Sequence, residues 1–119
     1  MSFCIVVSHS KDNVDRATVG LTLATAALET GEKVMVAFAS EGVRIAVRGY
    51  ADDMNNGEPF KPIKQLLREI LERGGTLHAC TPCMKKRNIK DTDLLPGVHL
   101  ITGTDLIRLL KQADRTIQL

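Results

Sequence analysis

Apolar residues fall into two kinds of run along this chain. Phe3-Cys4-Ile5-Val6-Val7 and Val34-Met35-Val36-Ala37-Phe38 are short, β-rich and lack alternation. That is the pattern of strands buried on both faces of a parallel sheet. Between them, after a polar loop from Ser8 to Asn13, small apolar residues recur at helical spacing: Ala17, Gly20, Leu21, Ala24, Ala27 and Leu28. Asp12 or Asn13 offers the N-cap of this helix and Gly31 its stop. The small contact face lets the helix lie close on a sheet.

The clearest helix carries Ile63, Leu66, Leu67, Ile70 and Leu71 at i, i+3, i+4, i+7 and i+8, one face of an α-helix. Pro62 suits its first turn and Gly74 its end, and Glu69 and Arg73 stand as an i, i+4 ion pair. Ala39–Gly42 reads as a turn and Val43–Val47 as a short helical turn. The stretch from Gly49 to Pro59, with Asp52, Asp53, Asn55, Asn56 and Gly57, reads as a mobile loop. Tyr50, Met54 and Phe60 are its candidates for an interface. Thr76–Ala79 and Val98–Ile101 predict two more strands. Pro82–Arg87 predicts a short helix stopped by Asn88. A last helix, capped at Thr104 or Asp105, uses Leu106, Ile107, Leu109 and Leu110 as its apolar face, and Arg115–Leu119 closes the chain as an edge strand.

Strands alternating with helices through short connections give right-handed crossovers and a mostly parallel five-stranded sheet, in one domain spanning residues 1–119. In such a sheet the segments after each strand share one edge, where ligands usually bind. Here these are Ser8–Lys11, Ala39–Gly42, Cys80–Cys83 and Thr102–Thr104.

Composition narrows the function. The chain has 16 Lys and Arg against 14 Asp and Glu, with 3% aromatic residues and no Trp. It therefore has no strong charge to attract nucleic acid and no platform for stacking bases. No apolar run is long enough for a membrane span or a signal sequence, so neither nucleic acid nor membrane is an expected partner. The three cysteines, Cys4, Cys80 and Cys83, are not a secreted disulfide framework and fit a reducing, cytoplasmic setting.

Cys80-Thr81-Pro82-Cys83 is where chemistry is expected. Cys80 follows a strand, Thr81-Pro82 reads as a cap and first helical residue, and a helix N-terminus favours a thiolate. Lys85, Lys86 and Arg87 stand close in sequence to add to this. The spacing lets one sulfur attack or carry and the other resolve the adduct as a disulfide. His78, Cys80 and Cys83 also spell three metal donors, but zinc ordinarily takes four. His9 or His99 would have to complete the set, and nothing in the sequence places either there. Neither a metal nor another cofactor is expected. His9 and Ser10, on the first post-strand loop, join His78 and Lys85 as candidate substrate-binding residues. Cys4 reads as core packing.

Taken in order, several segments resemble the DsrE/DsrF/TusD-like family. They are Lys11-Asp12-Asn13 before an alanine-rich helix, Gly31-Glu32-Lys33-Val34, Phe38-Ala39-Ser40-Glu41-Gly42-Val43, His78 to Arg87, Leu95-Pro96-Gly97-Val98 and Ala113-Asp114-Arg115-Thr116-Ile117. The resemblance covers nearly the whole chain. It implies a flavodoxin-like, three-layer α/β/α fold assembled into homo-trimers or hexamers. Some members of that family relay sulfane sulfur as a cysteine persulfide, between donor and acceptor proteins. Their carrier cysteine stands eight residues before the glycine of an Arg-Gly pair, a count that lands on Cys80, with Arg87 and Asn88 in place of Arg-Gly. Cys83 has no counterpart in the single-cysteine relay members.

The leading expectation is thus a persulfide carrier or sulfurtransferase using Cys80, with Cys83 as resolving thiol. A dithiol–disulfide oxidoreductase using both cysteines is the first alternative. A non-enzymatic oligomeric binding or structural subunit is the second.

Overall fold

The structure is a computed structural model that describes residues 1–119. Its five strands are β1 (Ser2–Val7), β2 (Lys33–Phe38), β3 (Thr76–Cys80), β4 (His99–Ile101) and β5 (Arg115–Gln118). They form one sheet in the order β4-β3-β2-β1-β5, and every pairing is parallel. The four α-helices are α1 (Val14–Glu29), α2 (Ile63–Glu72), α3 (Thr81–Lys86) and α4 (Gly103–Gln112).

The strand order dictates the layers. From β1 to β4 the chain steps across the sheet in one direction, so right-handed crossovers put α1, α2 and α3 on one face. The connection from β4 to β5 returns to the far edge and places α4 on the other. The core divides accordingly. On one face Ile5, Val7, Val36, Phe38 and Leu77 pack with Leu21 of α1, Ile63, Leu66 and Ile70 of α2, and Met84 of α3. On the other, Cys4, Val6, Met35, Ala37 and Ile101 meet Leu106, Leu109, Leu110 and Ala113. This is the three-layer, flavodoxin-like α/β arrangement.

The stop signals act through backbone geometry. Gly31 and Gly74 follow α1 and α2 with φ of 84° and 87°, and Asn88 takes φ 56° after α3, a conformation these residue types adopt at low cost. Asn13 is the N-cap of α1, its side chain accepting from the Arg16 amide at 3.1 Å.

Four local expectations need correction. The N-cap of α4 is Thr102, which forms a capping box with Asp105; three threonine and acidic positions compete there, and only Thr102 has an Asp at the third following residue. Glu69 and Arg73 do not pair. Glu69 takes Lys61 at 2.8 Å, while Arg73 reaches Glu29 of α1 at 3.9 Å. Partners from outside the helix outcompete the in-helix pair. The stretch from Gly49 to Pro59 is anchored: Tyr50–Asp53 is a 3-10 turn, and Ala51 and Met54 are buried in the main core, which removes Met54 as an interface candidate. Finally, no residue of α4 is fully buried, and Ile107 stays 57% exposed, because a single helix covers that face of the sheet. No helix is long and apolar enough to cross a membrane.

Candidate functional site

Cys80 is the last residue of β3 and, with φ −70° and ψ 116°, the N-cap of α3. Pro82 therefore sits at the second helical position, one later than the sequence indicates. The pair lies on the sheet edge shared by all the post-strand segments, as the parallel topology requires. Cys80 is buried and Cys83 is half-buried. Both pack against the main core, and none of the four cavities of the chain is lined by either.

The expected thiolate at Cys80 is not what this environment favours. Burial pushes the Cys80 thiol up from its ordinary value; the Cys83 amide pulls down, while the neighbouring Cys83 side chain pushes further up. The physical reason is that α3 is only six residues long, so its dipole is small, while the sulfur has left water. Lys85 and Lys86 are exposed and do not offset that loss. Cys4 is fully buried in the α4-side core, and burial raises its thiol as well.

Arg87 is turned away from solvent. Its Nε donates to Glu41 Oε2 and its Nη1 to the Cys83 carbonyl at 3.1 Å. Arg44 holds the other oxygen of Glu41 at 3.0 Å. The Arg87 guanidinium, with a smaller contribution from Arg44, keeps the Glu41 carboxyl below the usual carboxylate range. Glu41 lies on the 3-10 segment Ser40–Ala46 that follows β2. Its position on the shared sheet edge was the available sequence signal, but nothing local tied it to Arg87, 46 residues away.

The other candidates separate. His9 pairs with Asp12 at 2.8 Å, and Ser10 is fully buried with its Oγ 3.3 Å from the Tyr50 hydroxyl. Both belong to the β1 end, with β2 between β1 and β3, so the structure does not bring them to the cysteines. Lys85 projects from α3 into a cavity of about 360 Å³ shared with Thr81, Lys90 and Leu100. His78 lies on β3, Nε2 2.9 Å from Thr76 Oγ1, and stacks on His99 with ring centroids 5.0 Å apart. Nothing local in the chain places His99; the β3–β4 register, which sets His78 opposite His99, does so. Burial and the adjacent His99 lower His78 to about 4. No three His, Cys, Asp or Glu side chains converge to hold a metal ion.

The chain is thus an all-parallel, three-layer α/β protein that carries a Cys-x-x-Cys turn at the carboxyl edge of its sheet. The chain belongs to the DsrE/DsrF-like family, whose model matches residues 1–119. It is 31% identical over 113 residues to the uncharacterised protein MK0008 of Methanopyrus kandleri, covering 95% of this chain and 89% of that protein. It is 29% identical over 117 residues to the uncharacterised protein MJ0989 of Methanocaldococcus jannaschii, covering 98% of each. Among solved structures, the ychN protein from E. coli superposes over 100% of both chains with a TM-score of 0.80 at 22% identity. MTH1491 from Methanobacterium thermoautotrophicum, described as of unknown function, gives a TM-score of 0.65 at 18% identity, over 99% of this chain and 97% of its own. At these identities the structural matches establish the fold.

Proposed function

We propose that this protein carries sulfane sulfur as a persulfide on Cys80, in the cytoplasm, between a donor and an acceptor protein. The observation that carries the reading is the placement of Cys80 at the carboxyl end of β3 with Cys83 one helical turn on, in a chain of the DsrE/DsrF-like family. In the first step the Cys80 thiolate attacks the outer sulfur of a donor persulfide, R–S–SH. It forms Cys80–S–SH, and R–S⁻ leaves and takes up the proton that Cys80 released. If the Cys83 thiolate then attacks the Sγ of Cys80, the inner sulfur of the persulfide, a Cys80–Cys83 disulfide closes and hydrosulfide leaves, taking up the proton that Cys83 released and departing as hydrogen sulfide. Burial suits the carrier, because it keeps the persulfide from solvent. The more open Cys83 suits the resolver. Since burial raises the Cys80 thiol, loading should accelerate as pH rises through and beyond the ordinary cysteine range.

Intact mass after anaerobic exposure of the reduced protein to a low-molecular-weight persulfide tests this. Wild type should gain one sulfur or lose two hydrogens, Cys80→Ser should gain nothing, and Cys83→Ser should accumulate the adduct. Undiminished loading of Cys80→Ser would end the assignment. Loss of two hydrogens under a disulfide oxidant, with no sulfur adduct under any condition, would favour the dithiol oxidoreductase instead, a reading supported by the two cysteines standing one helical turn apart at the start of α3.

We also infer that the chain self-associates through the α4 side of the sheet. Ile107 of α4 is 57% exposed there, and α4 leaves its apolar stripe half-open, with no residue of the helix fully buried. Sedimentation should show a trimer or hexamer that Ile107→Asp shifts toward smaller species. A strictly monomeric wild type would refute it.

A further inference from the structure

Cys83 is held from two directions. Its backbone belongs to α3, whose last turn is tightened: the Arg87 amide bonds the Met84 carbonyl at 3.0 Å. The Cys83 carbonyl takes the Arg87 guanidinium instead, at 3.1 Å. The guanidinium is in turn fixed by Glu41, which stands on the segment after β2 and is braced by Arg44. The Arg87 side chain is only 12% exposed, so this is a largely desolvated, charge-assisted chain of hydrogen bonds running from Glu41 to the backbone of a cysteine. Such bonds gain geometric definition from the planar fork of arginine, which lysine lacks.

We propose that Glu41 and Arg87 are positioning residues for Cys83, setting how readily its sulfur meets Cys80. They decide whether an adduct on Cys80 is kept or resolved. The proposal deepens the thiol reading above and rests on it for its biological meaning, but its test does not require sulfur transfer.

The measurements are the equilibrium of the Cys80–Cys83 disulfide against glutathione and the alkylation rate of each cysteine by peptide mass mapping. In the equilibrium two thiols and one glutathione disulfide give the protein disulfide and two glutathione. Cys4 is an internal reference. Arg87→Lys and Glu41→Gln should each move the disulfide equilibrium by about tenfold, the scale of one lost charge-assisted hydrogen bond. Each should also change the Cys83-to-Cys80 alkylation ratio, with unaltered far-ultraviolet circular dichroism. Because the two residues act in series, the double variant should be little different from either single one. Folded Arg87→Lys and Glu41→Gln proteins with wild-type equilibrium and alkylation ratio would overturn the proposal. So would Lys86→Gln shifting both as far as Arg87→Lys, since Lys86 is an exposed cation of the same helix outside the Glu41–Arg87 chain and its effect would be one of charge. A wild type that takes up no sulfane sulfur would remove the carrier function while leaving these measurements to decide the positioning.

Discussion

Gly42→Ala should be the most damaging single methyl that can be added near the site. A Cβ at residue 42 would stand 2.0 Å from the Val7 carbonyl oxygen and 2.8 Å from its carbon, both backbone atoms at the end of β1. That oxygen already accepts from the Ala39 amide at 3.1 Å, so it cannot swing aside without breaking the β1–β2 ladder. The alternative is to lift the Ser40–Ala46 segment, which carries Val43 and Ile45 into the core. Gly42 does not have a positive φ, so alanine would gain slightly from its stiffer unfolded chain, by about 0.4–1 kcal/mol. Overpacking against backbone should outweigh this, for a net loss of about 3 kcal/mol. Urea denaturation measures it. Stability within about 1 kcal/mol of wild type would show that the segment yields more easily than this packing implies.

The second large effect should appear on mild acidification. His78 titrates near 4 in the folded protein against 6.5 for a free side chain. The folded state favours the neutral ring, and the unfolded chain takes up the proton first as pH falls. The His78 contribution is therefore intact above pH 6.5, is lost progressively between 6.5 and 4, and is level below that. Solvent still reaches part of the ring, so the loss should be about 1–2 kcal/mol rather than the full value of the shift. The carboxyls of Asp12, Glu41, Asp53, Asp105 and Asp114 are all held below their ordinary values. Their linkage has the same sign in a lower window: stability present above the ordinary carboxylate range is lost as pH falls through the lowered values. Denaturation between pH 7 and 5 thus isolates the histidine. His78→Gln should flatten most of the slope there; an unchanged slope would assign it to another group.

How far the sequence carried depends on whether a feature is local. The apolar period of α2, the unbroken runs of β1 and β2, and the stop residues Gly31, Gly74 and Asn88 depend on nearest neighbours, and each is found where the pattern puts it. The sheet edge on which Cys80 lies followed from element order alone. What was not legible came from contacts between distant segments. The apolar spacing within Gly49–Pro59 was too sparse to show that Ala51 and Met54 enter the core. The helix that follows Cys80 points to a thiolate, whereas the ionisation of the thiol follows burial by residues elsewhere in the chain. Glu41 meets Arg87, and His78 meets His99, only because the register between strands and the crossover lengths bring them together. A linear pattern contains neither quantity.

The return of the chain over the α4 face also bears on how the protein is made. β1 emerges from the ribosome before β2, which follows about thirty residues later. Its other neighbour, β5, pairs Phe3 with Arg115 and Val6 with Gln118, more than a hundred residues further along the chain. Until β5 is made, β1, whose last four residues are buried, has one edge open, a template for a wrong strand or a neighbouring nascent chain. Closing that edge requires a contact of very high sequence separation, which is slow to form. Nascent chains halted before residue 115 should therefore be the aggregation-prone species, and the final strand acts as the lock that ends that exposure.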